Sequence, residues 1–395
     1  MNARTIVLAG SVLSASAFAQ QGAPNVPPQG FQFIPSLAIT ETYDDNALGT
    51  QSGESVDSAM ILEPSVQFLN TSDRSNQELD YTLSYEKFWG GTLRRSFSHQ
   101  GRYRGLFDVS PRVTLTVEQR ISYSPLISLL YSPDLNTTPQ FVRLKTFRNA
   151  TEFSPMVRLS ERSNLELKGA FYLTLSREAQ MFATTPVNTR PIYQAKGGMT
   201  LVHRLNERDS IRPSLTTDYF WFPGSNDVVN LSANVGWSRR WNPSLETVLG
   251  GGILETVPRG GGDSLTNLAG KVSASYREDP WEFHMTYARS SSTLAGFSAT
   301  FIQDTVTAGT SVLFAQTWVF RLDPAYSRSV SAETGAVLAG LFVDTGIQGM
   351  IRPGLQLSIH YRYRVQGSDN PAWEGYTRNL AAATLNIVNF RDLKI

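Results

Sequence analysis

Residues 77–88 read QELDYTLSYEKF, and this stretch shows the pattern that decides the fold class. From Leu79 to Tyr85 every second residue is large and apolar, and the residues between them are charged or carry a hydroxyl group. Successive side chains of a β-strand point to opposite faces, so the stretch predicts a strand with one apolar and one polar face. The same alternation returns at 112–121, 163–174, 280–289 and 354–365.

A soluble β-sandwich and a membrane barrel both show this alternation, so strand length and connection length must separate them. Many of the stretches reach the roughly 9–11 residues that cross a membrane, whereas an average soluble strand has about 5–6. The short connections, which hold turn residues, are 108–112, 159–163, 205–210, 240–244, 277–280 and 351–354. The longer connections that intervene are 43–57, 122–145, 174–191, 254–264, 290–298 and 366–374. This alternation of short and long connections is typical of outer-membrane barrels.

We therefore predict an all-β fold, a single antiparallel transmembrane β-barrel of the outer-membrane type over residues 31–390. The strand count is roughly 18, within a range of about 16–18, and an even number leaves both chain ends in the periplasm. The short turns then face the periplasm and the longer loops face the outside. Phe390, near the end of the last strand, resembles the assembly signal of outer-membrane barrels, so we expect the barrel-assembly machinery as a partner.

The N-terminus indicates export. Arg4 is followed by an apolar run that ends in Ala17-Phe18-Ala19, the small-x-small pattern that signal peptidase recognises. We predict a signal peptide over 1–19, cleaved after Ala19, a flexible periplasmic segment over 20–30 and a C-terminal tail over 391–395. Past residue 19 there is no run of about 18 apolar residues, so we expect no transmembrane helix. The predicted location is the outer membrane of a Gram-negative cell, among its lipids and lipopolysaccharide.

Composition excludes several function classes. The chain has 35 Lys plus Arg against 34 Asp plus Glu, and this balance offers no electrostatic case for binding nucleic acid. Cysteine is absent, which excludes disulfides, thiolate metal sites and cysteine nucleophiles. The four histidines lie far apart in the sequence, so a His-rich metal site has little raw material. We expect no cofactor and no bound metal.

The first predicted strand and its exit, residues 33–46, read FIPSLAITETYDDN. This opening resembles the β-barrel porin 2 family of Gram-negative outer-membrane proteins. The matching positions are Pro35, Ser36, Leu37, Glu41, Tyr43, Asp44, Asp45 and Asn46. Relatives in that family accompany the machinery for exopolysaccharide and capsule biosynthesis. The resemblance implies export of a secreted polysaccharide, with periplasmic polysaccharide-export proteins as partners.

The polar faces of the predicted strands would line the barrel interior. By this parity the candidate lumen-lining residues are Arg102, Arg104, Arg112, Glu118, Arg120, Glu152, Glu166, Lys168, Asp218, Glu246, Lys271, Glu282, Arg362 and Arg364. Opposite charges on neighbouring strands can pair and carry water, which keeps a wide pore hydrated without strong ion selectivity. The alternative interpretation is that these pairs only hold adjacent strands together and fill the interior. The sequence leaves both interpretations open.

Two loop segments are candidates for special roles. The connection 122–145 contains PLISLLY, which is too apolar for a water-exposed loop, and long loops are usually functional. We expect it to form a constriction, a plug or a cap at the rim, with gate residues Leu126, Ile127, Leu129, Leu130 and Tyr131. The cluster at 44–46 offers oxygen ligands for Ca²⁺, but Asp and Asn also favour turns, and the turn is the expected role.

An enzyme is the least favoured class. Catalysis by a barrel would need a histidine within reach of a nucleophile or a carboxylate. His284 and His360 fall on predicted inward faces, and either would need a neighbouring Ser or Asp that the sequence does not reveal.

The favoured prediction is a monomeric, passive outer-membrane channel, and the resemblance makes its cargo an exopolysaccharide. The first alternative is a general diffusion porin for small solutes. The second is a structural or adhesive surface barrel with a plugged lumen.

Overall fold

The computed structural model of the chain describes residues 30–46, 56–90, 95–124, 144–179, 191–223, 227–259, 264–293, 300–315, 317–331, 335–369 and 375–388. Several predictions concern segments outside these residues. They are the signal peptide over 1–19, nearly all of the flexible segment over 20–30, the gate residues Leu126, Ile127, Leu129, Leu130 and Tyr131, and the tail over 391–395.

The described residues form eighteen β-strands, and the predicted all-β barrel is confirmed. The strands are β1 (Gly30–Asp44), β2 (Asp57–Ser72), β3 (Ser75–Phe88), β4 (Ser96–Ser110), β5 (Val113–Ser124), β6 (Leu144–Arg158), β7 (Ser163–Ala179), β8 (Ile192–Arg204), β9 (Asp209–Trp221), β10 (Asp227–Arg240), β11 (Leu245–Arg259), β12 (Leu265–Glu278), β13 (Trp281–Thr293), β14 (Thr300–Phe314), β15 (Trp318–Ser331), β16 (Val337–Arg352), β17 (Leu355–Ser368) and β18 (Tyr376–Val388). Among the described residues no helix is long and apolar enough to cross a membrane.

All eighteen strands belong to one antiparallel sheet in which each strand pairs with its neighbours in the chain. The first strand, β1, also pairs with the last, from Ser36 opposite Val388 to Asp44 opposite Leu380. The sheet therefore closes on itself, and closure removes the exposed edges that an open sheet would have. A two-sheet sandwich, the other fold that alternation allows, is excluded by this single closed sheet.

The two faces of the sheet differ as the alternation of residues 77–88 predicts. The outward face exposes large apolar side chains around the barrel, among them Phe33, Leu79, Phe153, Leu215 and Ile359. The residues between them point inward and include most of the charged side chains of the strands. An apolar outer face and a polar inner face suit lipid outside and water inside.

Short turns connect the strands at one end of the barrel. Those that the structure describes in full are 73–74, 111–112, 159–162, 205–208, 241–244, 279–280 and 353–354. In two of them an asparagine holds the turn, since Asn206 Oδ1 accepts two backbone N–H groups at 2.8 Å and Asn242 Oδ1 accepts two at 2.7 and 2.9 Å. Asparagine favours turns because its side chain can bond nearby backbone groups in this way.

An ion pair joins the first and last strands along their seam, at the end of the barrel away from the short turns. Arg378 of β18 binds both carboxylate oxygens of Asp44 of β1, with its Nε 3.0 Å from Oδ1 and 2.9 Å from Oδ2. The two side chains are only 13% and 10% exposed, so water screens the pair little. The seam is thus held by a buried, bidentate arginine–carboxylate contact.

The next two residues of the cluster at 44–46 also bind β18. Asp45 Oδ1 accepts the backbone N–H of Asn379 at 2.6 Å, and Asn46 Nδ2 donates to the carbonyl of Thr377 at 2.8 Å. Asn46 N–H in turn donates to Asp44 Oδ1 at 3.1 Å, which is the turn geometry that the sequence predicts. In the described part of the chain no group of three or more His, Cys, Asp or Glu side chains could hold a metal ion.

We expect the substitution Arg378→Gln to destabilise the barrel by about 3–5 kcal/mol, because it leaves the buried Asp44 carboxylate without its partner. The matched control is Arg277→Gln, which breaks a pair with Glu282 whose side chains are 64% and 54% exposed. The control should cost at most about 1 kcal/mol. Urea unfolding of the refolded protein in detergent micelles measures both, and equal losses would contradict the role given to the seam.

Candidate functional site

The inward face of the barrel wall can be followed from strand to strand through the register. Arg104 lies opposite Glu118, and Glu118 lies opposite Glu152 on the next strand. The candidates on this face are Arg102, Arg104, Glu118, Arg120, Glu152, Glu166, Lys168, Asp218, Glu246, Lys271, Glu282, Arg362 and Arg364. Arg112 is not among them, because β5 begins one residue later and Arg112 lies in the exposed turn 111–112.

A carboxylate between two arginines forms the first charged cluster of the wall. Glu118 Oε1 lies 3.0 Å from Nε of Arg102 and 2.6 Å from Nε of Arg120. The two arginines face each other across β4 and β5, and like charges in that position repel. Glu118, whose side chain is 17% exposed, offsets this repulsion.

The next strands continue the pattern with two further acids. Glu152 accepts hydrogen bonds from Lys168 Nζ at 3.1 Å and from Tyr172 Oη at 2.9 Å. Asp218 Oδ2 lies 3.2 Å from Lys196 Nζ. Each pair joins neighbouring strands, and most of these groups keep part of their surface exposed. From β4 to β9 the wall therefore carries paired charges of both signs that remain in contact with the interior.

A third cluster lies on β16 to β18. Arg362 binds Asp344 through Nη2 at 2.6 Å and Nε at 3.1 Å, both to Oδ2. Arg364, two residues further along β17, is only 2% exposed. Its guanidinium lies 4.5 Å from the ring centroid of Phe342, and its Nη1 donates to Tyr376 Oη at 3.3 Å. Cation–π and hydrogen-bond contacts of this kind stabilise a charge that has lost water.

Four charged residues of the inner wall were not predicted from the sequence, namely Asp44, Asp323, Asp344 and Arg378. For Asp344 the reason is local, because the inward positions of β16 also hold Leu338 and Phe342, and both are buried. Because β16 has apolar residues on both faces, its sequence does not alternate clearly. Its inward and outward positions therefore cannot be told apart from the sequence. Asp344 could have been found only from its position opposite Arg362 on the next strand.

One inward histidine lies over a glycine. A Cβ placed on Gly309 would come within 2.0 Å of His284 Cε1 and 2.3 Å of Asp323 Oδ1. The imidazole from β13 and the carboxylate from β15 therefore meet above the glycine of β14. Only glycine leaves the space for this approach, because any other side chain at position 309 would displace one of the two groups.

The second inward histidine repeats the arrangement. A Cβ on Gly346 would lie 2.5 Å from His360 Nδ1, and the same nitrogen is 4.0 Å from Asp344 Oδ1. Both histidines thus have the carboxylate neighbour that an enzyme would need. In the described strands, however, the hydroxyl groups bonded to imidazoles belong to the outward His99 and His203. We assign no reaction to the inward pairs.

Exposure divides the inward wall into two halves. Towards the short turns the inward side chains are exposed, among them Arg104, Arg158, Glu166, Arg204, Arg212, Arg277 and Glu282. Towards the opposite end many are buried, among them Thr40, Asp57, Ile61, Glu86, Phe301, Ser327, Leu338 and Gln366. Among the described residues, the inward side chains are thus exposed near the short turns and buried towards the other end.

On β10 and β11 the inward wall has small residues where other strands have charged clusters. Gly236 lies opposite Gly250, and Asn234 lies opposite Gly252, with Asn234 Oδ1 2.4 Å from where a Cβ on Gly252 would be. Three of these four inward residues have no side chain, so the wall has a smooth, uncharged sector here.

This barrel has the fold of outer-membrane porins. OccAB4 of Acinetobacter baumannii superimposes with a TM-score of 0.51 at 8% sequence identity, over 91% of this chain and 98% of that one. The outer-membrane protein OpdK of Pseudomonas aeruginosa gives 0.49 at 10% identity, again over 91% and 98%. OprD of the same organism gives 0.47 at 12% identity, over 91% and 96%. At these identities the likeness concerns the fold alone.

Comparison by sequence adds no relative: no protein-family model matches the chain, and no curated protein does either. The resemblance to the β-barrel porin 2 family, and the polysaccharide export that it implies, therefore gain no support from these comparisons.

We expect Gly252→Ala to destabilise the barrel by about 1–3 kcal/mol, the usual range for overpacking. A Cβ there would lie 2.0 Å from the backbone oxygen of Ala233, and backbone cannot move aside as a flexible side chain can. The matched control is Gly251→Ala, since a Cβ on Gly251 meets nothing within 4 Å. Thermal unfolding of the refolded variants provides the measurement, and a Gly252 variant as stable as the control would refute this account of the smooth sector.

Proposed function

We propose that the chain is a passive diffusion channel for small hydrophilic solutes in the outer membrane of a Gram-negative bacterium. The observation that carries this proposal is the closed eighteen-stranded barrel with a charged, partly exposed inner wall. Barrels of about 16–18 strands are wide enough to leave an aqueous channel. An inner wall lined by ionised groups keeps such a channel filled with water.

The charge pattern of the wall argues for weak selectivity between anions and cations. From β4 to β9 acids and bases lie side by side on the wall and bind each other laterally, as Glu118 does with its two arginines. Paired charges present little net field to a passing ion, although they still offer hydrogen bonds to it. A solute that carries hydroxyl, amide or both kinds of charged group would exchange its water for these contacts.

The polysaccharide conduit is the finer prediction from the family resemblance, and the small-solute channel is the better supported of the two. Residues 44–46 are the last residues of the segment that resembles the family, and their side chains bind β18 at the seam. Residues that fasten the barrel are needed whatever passes through it, so this part of the motif contains no information about cargo.

The structural or adhesive barrel is the second alternative. This alternative is favoured by the buried inward side chains at the end away from the short turns, because side chains packed there narrow the bore. Conductance separates the two proposals, because a plugged barrel passes no current.

We expect the purified, refolded chain to form steady open channels in planar bilayers. We also expect proteoliposomes that contain it to swell in small sugars and zwitterions but not in oligosaccharides of increasing length. Correct folding is checked by heat-modifiable gel mobility. Closed, silent barrels of proven fold would support the structural alternative, and swelling that is independent of oligosaccharide length would support the polysaccharide conduit.

We expect Glu118→Gln to shift the reversal potential in a salt gradient towards anion permeation, because Arg102 and Arg120 then lose the carboxylate between them. The matched control is Glu255→Gln, which removes one carboxylate from the outward face of β11. The control should leave the reversal potential unchanged. A shift of equal size in both variants would mean that the change in reversal potential does not come from charge on the inner wall.

A further inference from the structure

We infer that the outward face of β4 to β6 is an interface with a second copy of this chain. A hydrogen-bonded polar cluster lies on this face. Gln119 Nε2 donates to Asn149 Oδ1 at 2.5 Å, and Thr151 Oγ1 donates to Gln119 Oε1 at 2.7 Å. The cluster points outward, since Ile121 and Phe153, each two residues further along the same strands, are 44% and 48% exposed.

The cluster lies at the level where the barrel meets the hydrocarbon of a membrane. Gln119 is near the middle of β5, and Thr151, its register partner, is near the middle of β6. Mid-strand positions on the outward face of a membrane barrel are normally apolar. On β16 and β17, Val343, Ile347 and Ile359 follow that rule. The outward Thr345 between them bonds its own hydroxyl to the carbonyl of Arg321, at 3.0 Å.

The hydrogen bonds within the cluster leave some of its polar groups unused. In the described part of the chain Asn149 Nδ2 has no partner, and Gln119 Nε2 uses one of its two N–H groups. Lipid tails offer neither donors nor acceptors, whereas polar side chains on a protein surface in the membrane can bond across an interface. The cluster bears no formal charge and presents donors beside acceptors, so it complements a second copy of itself.

The position of the cluster also suits a twofold arrangement. Two copies inserted in the same direction can be related by a twofold axis parallel to the barrel axis. An axis between β5 and β6 brings Gln119 of each copy opposite Asn149 and Thr151 of the other, as an isologous interface requires. Beside the cluster, Gly101 of β4 lies in register between Tyr81 and Ile121, and a Cβ there would meet only Tyr81 Cδ2, at 4.0 Å, so a gap lies next to Ile121.

A second polar pair extends the surface beside this gap. Tyr81 Oη and His99 Nδ1 are 2.8 Å apart, and the His99 ring lies 6.5 Å from that of Tyr123. Aromatic residues with a polar group are enriched at protein–protein interfaces. The surface from β3 to β6 thus combines a polar cluster with aromatic residues at its edge.

Cysteine cross-linking tests the interface cleanly, because the natural chain contains no cysteine. The full-length variant Ile121→Cys is expressed in outer membranes and treated with a short bismaleimide. The matched control is Ile359→Cys on the outward face of β17, six strands away, at a position that is 50% exposed, against 44% for Ile121. We expect a covalent dimer from Ile121→Cys and only background from Ile359→Cys. Equal yields from the two positions, or none from Ile121→Cys, would overturn the inference.

A second comparison tests the polar cluster itself. The changes Gln119→Leu, Asn149→Leu and Thr151→Val are combined with Ile121→Cys, and we expect the cross-linking yield to fall about tenfold. An unchanged yield would show that the cluster does not hold the interface. Heat-modifiable gel mobility confirms folding, and Asn149→Leu alone with Ile121→Cys replaces the triple variant if the triple variant does not fold.

Discussion

Closure of the sheet is the constraint on which the rest of the structure depends. In a membrane every backbone N–H and C=O group must find a partner within the protein, because lipid offers none. The pairing of β1 with β18 satisfies the two strands that would otherwise be edges. The contact of Arg378 with Asp44 adds a buried ion pair to that seam, at the end where the strands leave their backbone pairing.

Closure also decides what each face must do. Alternation sends every second side chain outward to the lipid and the rest inward, so a charged residue on a strand must be on the inner wall or near a strand end. Inside, charges of the same sign from neighbouring strands are brought opposite each other, as Arg102 and Arg120 are. A wall built in this way needs counter-charges such as Glu118 for its own stability. In the proposed channel, the same groups that hold the wall would also line the path of a solute.

The likeness of fold to OccAB4 at only 8% identity has a physical reason. Any apolar side chain can face lipid, and many polar ones can face water, so the pattern tolerates nearly complete replacement of residues. Function resides in particular inward side chains, and these are the positions that such a comparison does not carry over. The same reasoning applies to residues 44–46, whose contacts serve the seam.

The sequence by itself determined the strand pattern, because alternation with period two is a local property that any stretch such as 77–88 displays. It also placed the short turns, since asparagines such as Asn206 close them through contacts two or three residues away. For the candidate site, parity assigned most inward residues on strands with clean alternation. It failed at Arg112, where the strand began one residue late, and at Asp344, where apolar residues occupy both faces.

Only the tertiary structure decided which side chains meet. The partners Asp44 and Arg378 are separated by almost the whole chain, and the neighbours His284 and Asp323 come together over a glycine on a third strand. The outward cluster around Gln119 likewise requires β5 and β6 to be paired in one register. Such contacts depend on strand order and closure, and a one-residue slip would exchange the two faces. Local sequence fixes which residues alternate, and the closed sheet fixes which of them become neighbours.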